Sequence, residues 1–234
     1  MNKKLWHRLS IAAALFMSNF SAAQAEVFNT FPDLEKNPRA FSYFLNRQRL
    51  GDLIAHGAAT DRTLGLHVEC VSKYQITEPK MNIKKPIDFS EGEVHPVKGE
   101  WIVNYRLERC GETKIYNVTF TASPDGKPPS SKSNFPGVTI ASDLLINDAL
   151  MSTIVAAKLK LGARDCSDIR IFDMQVFDMS AAKPQSNNSI KGSWGEVWTF
   201  RMCGKLVEIP IIFTHNEKTG GTNFVVGGGL PKGP

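Results

Sequence analysis

"ERCGETKIYNVTFT" (108–121) and "RMCGKLVEIPIIFT" (201–214) follow one template: Cys-Gly, a short charged turn, then an alternating apolar run ending Phe-Thr. Alternation with a period of two marks a half-buried β-strand. Gly111-Glu112 and Gly204-Lys205 predict a two-residue hairpin turn with glycine first, type II′. Upstream, Trp101, Val103, Tyr105 and Leu107 share one face of the incoming strand, as do Trp194, Trp198, Phe200 and Met202 in the second stretch. Trp101 stands nine residues before Cys110 and Trp194 nine before Cys203; Lys98-Gly99 matches Lys191-Gly192. Tyr116, Val118 and Phe120 match Ile209, Ile211 and Phe213. This self-similarity predicts a tandem duplication, with a first repeat over 26–141 and a second over 142–227.

Working outward, each half carries the same order of elements. "NPRAFSYFLNRQRLGDLIAHG" (37–57) spaces Phe41, Phe44, Leu45, Leu53 and Ile54 for a helix, with Pro38 suited to its first turn. "SDLLINDALMSTIVAAKLKLG" (142–162) is its counterpart, with Ser142 or Asp143 as N-cap and Gly162 as stop. A strand begins near each first cysteine, and Ile169, Ile171, Met174 and Val176 switch phase, which predicts a bulge. Polar loops are predicted over 79–98, including the basic run "PKMNIKKP" (79–86), and over 180–193. Pro210 lacks a donor and predicts an edge or a bulge in its strand. Fourth strands are predicted at "GVTIA" (137–141) and "TNFVVG" (222–227), with a long loop at 122–136 before the first. The fold class is therefore α+β: a helix packed on a four-stranded antiparallel sheet, twice. In element order alone this resembles the cystatin arrangement, but no Gln-x-Val-x-Gly segment is present and element order transfers no function.

The N-terminus reads as an export signal. Lys3, Lys4 and Arg8 precede an apolar run from Leu9 to Phe20, and Ala23-Gln24-Ala25 fits a small-x-small cleavage site. Residues 1–25 are read as a signal peptide, which places the mature chain in the periplasm or outside the cell. Cleavage removes three of 28 basic residues and none of 23 acidic ones, leaving 25 − 23 = +2. A nearly neutral chain with scattered lysines argues against nucleic acid as a partner, and no later segment offers a membrane span. The glycine-rich end, 228–234, reads as a flexible tail.

Cys70, Cys110, Cys166 and Cys203 all follow the cleavage site, and the nearest two are 37 positions apart. Zinc sites bring cysteines two to four residues apart, so two disulfides are predicted and no metal. The matched spacings of 40 and 37 pair Cys70 with Cys110 and Cys166 with Cys203.

Catalytic signatures are sparse. There is no Gly-x-Ser-x-Gly elbow, His-Glu-x-x-His helix or phosphate loop, and nothing implies a cofactor. His56, His67, His95 and His215 lack metal-ligand spacing. Glu196 breaks the local rule: it falls on the Trp194–Trp198 face where the first half has Val103. A carboxylate between two tryptophans is placed either for general acid chemistry or cationic ligands, or for a structural pairing. Trp101, Tyr105, Trp194 and Trp198 either stack on sugar rings or fill the two cores.

The pattern Trp-x-x-x-Trp/Tyr before a Cys-Gly hairpin, "WGEVWTFRMCGK" here, resembles small exported, disulfide-bonded Gram-negative bacterial proteins of unknown function. The resemblance implies localisation and supplies no catalytic residue. Together these features point to an exported, non-enzymatic binding or interaction protein, a secreted effector being one form of it. Its partner would be protein or polysaccharide outside the cytoplasm. A hydrolase of envelope or extracellular polymers built around Glu196, and an envelope assembly factor or inhibitor, are the competing classes.

Overall fold

The computed structural model describes residues 38–44, 46–66, 74–184 and 190–227. The predicted signal peptide, Cys70 with its predicted pairing to Cys110, His67, the centre of the predicted 180–193 loop and the predicted tail at 228–234 lie outside the described residues. The chain is mixed α+β, with two four-stranded antiparallel sheets.

The first helical stretch divides. α1 (Pro38–Phe44) and α2 (Arg47–Leu64) meet at Asn46, which serves both. Its Oδ1 accepts from Arg49 N at 2.9 Å, capping α2, while its Nδ2 donates to Tyr43 O at 2.8 Å, closing α1. α2 runs past the predicted end at 57 and stops at Gly65 in the left-handed conformation. Then come β1 (Gln75–Asp88), β2 (Lys98–Arg109), β3 (Glu112–Thr121) and β4 (Ser130–Ser133). α3 (Asp143–Leu161) follows, capped by Ser142 and ended by Gly162 as its sequence predicts. The second sheet is β5 (Ile169–Pro184), β6 (Ile190–Met202), β7 (Lys205–His215) and β8 (Thr222–Val226). Each sheet pairs its strands in chain order.

Four expectations need correction. The basic run 79–86 is not a loop but the middle of β1, bent by register shifts between Thr77 and Lys80 and again after Ile83. Lysine stems lie comfortably along an edge strand, and Pro79 and Pro86 fall inside the register shifts between Thr77 and Lys80 and between Lys85 and Asp88, where a strand tolerates proline. Of the 180–193 stretch, the described residues up to Pro184 and from Ile190 likewise extend the β5–β6 ribbon, with Pro184 opposite Ile190. The hairpin turns are displaced by one residue: Arg109 pairs Glu112 and Met202 pairs Lys205, so Cys110-Gly111 and Cys203-Gly204 are the central residues. All four have positive φ, which is the type I′ pattern and not II′. Finally, the fourth strand of the first sheet is Ser130–Ser133 and not 137–141. The phase switch in β5 is a bulge between Ile171 and Asp173, in agreement with the alternation. Pro210 corrects a further expectation: it lies within β7 in unbroken register with Val197, so its strand is neither an edge nor bulged there. A strand residue's N–H and C=O point to the same side, and since Pro210 O accepts from Gly227 N, the missing donor falls opposite Gly227, just past the end of β8.

Each sheet turns its alternating face onto helix. Ala40, Tyr43, Phe44 and Leu53 pack with Trp101, Tyr105, Leu107 and Phe120; Leu145, Ile146, Ala149 and Ala157 pack with Trp198, Phe200, Ile209 and Phe213. Cys166, just before β5, is bonded to Cys203 in the β6–β7 turn.

Residues 134–138 join the halves. Asn134 N and Gly137 N donate to Asn117 O and Ile115 O of β3. On the other side Met174 N donates to Pro136 O and Met174 O accepts from Val138 N, the pattern of a parallel bridge to β5. Gly137 has φ 93°, and a Cβ there would stand 2.1 Å from Met174 O, so only glycine permits this approach. Lys114 reaches Asp173 at 3.5 Å across the same seam, and the Arg201 guanidinium donates to Leu64 O at the end of α2.

Candidate functional site

The polar group singled out by sequence, Glu196, is wholly buried at mid-β6. Neighbours at i−2 and i+2 on a strand face the same way, so both indoles bend toward it. Trp194 Nε1 donates to its Oε1 at 3.0 Å and Trp198 Nε1 to its Oε2 at 2.8 Å. The approach to α3 supplies the rest: Thr139 Oγ1 donates to Oε2 at 2.7 Å, and Ile140 N and Ala141 N donate to Oε1 at 3.0 and 3.2 Å. Five neutral donors enclose one carboxyl group, and the N-terminal end of α3 begins one residue beyond, adding its positive partial charge. The group has no face open to a substrate. Chemically the arrangement is a clasp: it fixes the segment entering α3 to the middle of its sheet.

The aromatic residues Trp101, Tyr105, Trp194 and Trp198 lie in the cores, none more than 3% exposed. Trp101 stacks on Phe120 at 5.6 Å and Trp194 on Phe213 at 5.1 Å between ring centroids. Tyr105 donates to Leu53 O at 2.6 Å, and burial raises its pKa.

The first half solves its polar burial differently. Asp61 of α2 meets Arg109 Nε at 2.5 Å, both side chains 1% exposed, and Tyr116 donates to the other carboxylate oxygen. Burial, then that bond to Asp61, pushes the Tyr116 hydroxyl well above the usual phenol range. The Arg109 guanidinium also lies near the Tyr74 and Tyr116 rings.

An open apolar feature is found beside α1 and α2. A pocket of about 40 Å³ is lined by Phe44, Leu53, Met81, Trp101 and Phe120, with Arg49 and Lys80 among its walls. A water needs roughly 10–15 Å³ of such volume, so the pocket takes a small apolar group. Arg49 bonds Asp52 at 2.7 Å through one terminal nitrogen and lies over the Tyr43 ring, while its buried Nε has no hydrogen-bond partner among the described residues. Tyr43 bonds His95 Nδ1 at 2.9 Å, and burial is the main cause raising its pKa.

The histidines are dispersed. His56 of α2 spans to β4, its Nδ1 2.9 Å from Ser133 Oγ and its Nε2 2.8 Å from Ser131 Oγ. His95 is held by Tyr43, and His215 ends β7. Among the described residues no group of three or more His, Cys, Asp or Glu side chains is placed to hold a metal ion, and no helix is long and apolar enough to cross a membrane.

Sequence reasoning passed over Arg109 and Asp61, although Arg109 continues the inward series 101, 103, 105, 107. It also passed over Arg49, whose signal is weaker: one arginine among several on an exposed-looking helix. No family model, curated protein or solved structure matches this chain.

Proposed function

We propose that this chain is an exported, non-enzymatic binding protein whose first-half pocket receives a small apolar group carrying an anionic or acceptor end. The observation that carries the reading is the pairing of apolar walls with the buried Nε of Arg49, which has no partner among the described residues. Binding sites combine a mostly apolar lining with a few convergent polar groups, and a buried donor without an acceptor is costly until a ligand supplies one. The ligand end is a side chain of a protein partner or a small amphiphile outside the cytoplasm. Export is supported by the Cys166–Cys203 bond, which suits an oxidising compartment. The hydrolytic reading gains no support from Glu196, whose carboxyl group is enclosed.

We also infer that the two halves derive from one αββββ unit. Support comes from the matched Cys-Gly turns with positive φ, the identical strand order and the common helix-on-sheet packing. The copies have since diverged where function would be placed: the pocket lies in one, the Glu196 clasp in the other.

The test uses the chain purified from the compartment in which it accumulates, after sequencing its N-terminus for cleavage following Ala25. Titration with hexanoate and with hexylammonium is followed by Trp101 fluorescence. Saturable binding of hexanoate, with hexylammonium at least tenfold weaker and Arg49→Leu removing that preference, is expected. Equal response to both amphiphiles, or none, sinks the ligand assignment; recovery of uncleaved chain in the cytoplasm sinks export.

A further inference from the structure

Helix α3 is apolar on both sides. Leu145, Ile146, Ala149 and Ala157 face the sheet, yet Leu144, Met151, Val155 and Leu159 are 72, 67, 52 and 61% exposed. At 100° per residue these four fall within a band of about 80°, a strip about 22 Å long. Among the other described residues large exposed apolar side chains are scattered over separate elements, and of the described helices this is the one in which four align. Ordinary surface helices turn polar residues outward, and an aligned apolar strip marks an interaction surface.

From this strip we propose that the chain self-associates, two copies packing α3 against α3 in antiparallel fashion about a twofold axis near Met151 and Val155. The argument for a second copy is the distribution of charge along the strip. Its N-terminal half carries Asp143 and Asp148, and its C-terminal half Lys158 and Lys160. Asp148 lies inside the apolar band and Lys158 at its flank, five residues either side of position 153. An antiparallel pairing therefore brings Asp148 of each copy beside Lys158 of the other, and Met151 beside Val155. A twofold interface must be self-complementary in this way. Parallel pairing would instead set acid against acid and base against base. The opposed helix dipoles favour the same orientation, and a mature net charge of +2, from 25 basic and 23 acidic residues, offers little repulsion.

Sedimentation velocity on the cleaved chain, from about 1 to 200 µM, reads the association. Wild type is expected to move from monomer to dimer across this range. Met151→Glu is expected to remain monomeric while keeping its thermal midpoint, because the side chain is two-thirds exposed. Asp148→Lys and Lys158→Asp should each weaken the dimer at least fivefold, and the double exchange should restore it. A wild-type chain monomeric throughout, a dimer indifferent to Met151→Glu, or a double exchange no better than the single ones overturns the proposal. Binding of α3 to a different protein by a chain that stays monomeric does so as well.

Discussion

Replacing Glu196 by glutamine tests the clasp with the smallest change of shape. With the amide oxygen in the Oε1 position, the bonds from Trp194, Ile140 and Ala141 keep an acceptor. The amide nitrogen then stands where Oε2 was, 2.8 Å from Trp198 Nε1, and two donors face each other. Thr139 escapes by rotating its hydroxyl to accept; the indole has no such freedom. A buried donor left unsatisfied costs about 1–3 kcal/mol, and bonds to a neutral acceptor fall short of those to a charged one by roughly 1 kcal/mol each. Against this, a neutral side chain escapes the ion's desolvation penalty of several kcal/mol. The opposing terms leave a net loss of about 2 kcal/mol for Glu196→Gln. Glu196→Ala removes the acceptor for both indoles and Ile140 at once and leaves a cavity, so it should cost about 4–6 kcal/mol. Urea unfolding with intact disulfides, read by tryptophan fluorescence and far-ultraviolet circular dichroism, measures both. Hydrogen exchange locates them: the Ile140 amide and the Trp194 and Trp198 indole protons should lose protection first. A glutamine variant within 0.5 kcal/mol of wild type, or an alanine variant with unchanged exchange at Ile140, would refute the reasoning.

The remaining predictions concern other contacts. Opening the 37-residue Cys166–Cys203 loop by Cys203→Ser should lower stability by about 4 kcal/mol on the chain-entropy account, measured as a shift in urea midpoint. Asp61→Asn leaves Arg109 buried without its counter-charge and should cost about 3–5 kcal/mol; a loss under 1 kcal/mol would show the pair to be dispensable. Gly137→Ala forces a Cβ onto Met174 O at a positive φ and should cost at least about 2 kcal/mol, with exchange rising at Met174 and Val138 before the hairpins. His56 has its pKa lowered, mainly by burial. A depressed folded pKa means that its contribution is fully present above the unfolded value of about 6.5 and is lost as pH falls below it. Wild type should therefore lose stability more steeply than His56→Gln between pH 7 and 5, in paired urea titrations.

The core strands could be read almost residue by residue, because a half-buried strand writes its orientation as alternation: Trp101 through Leu107 and Trp194 through Met202 all point inward. Helix α3 was equally plain in its caps. The turns were misplaced by one residue, since glycine tolerates either central position and only the pairing of Arg109 with Glu112 decides. The seam at 134–138 left no trace in side-chain pattern, because its bonds are made by backbone groups, which every residue carries alike. Glu196 could be recognised as anomalous but not interpreted. Its meaning depends on donors at 139–141, some 55 positions away, and they lie in a segment whose own pattern predicted a strand. The pocket depends on where Asn46 breaks the helix, a local event that periodicity of 3.6 does not register.

The seam also bears on how such a chain stays unaggregated. A pair of four-stranded sheets has four rims on which foreign backbone can template, as in cross-β growth. Residues 134–137 continue the line of β4 along β3, and 136–138 reach the β5 rim at Met174. Of the other two, β1 carries Pro79, Pro86, Lys80, Lys84 and Lys85 along a ladder shifted in register three times, and β8 is only five residues long. Prolines, lysines and brevity are the known deterrents to strand addition. A single strip of linker thus touches both sheets: displacing it would bare the backbone of β3 at 115–117 and of β5 at Met174 at once, and Gly137 is the residue on which its seating depends.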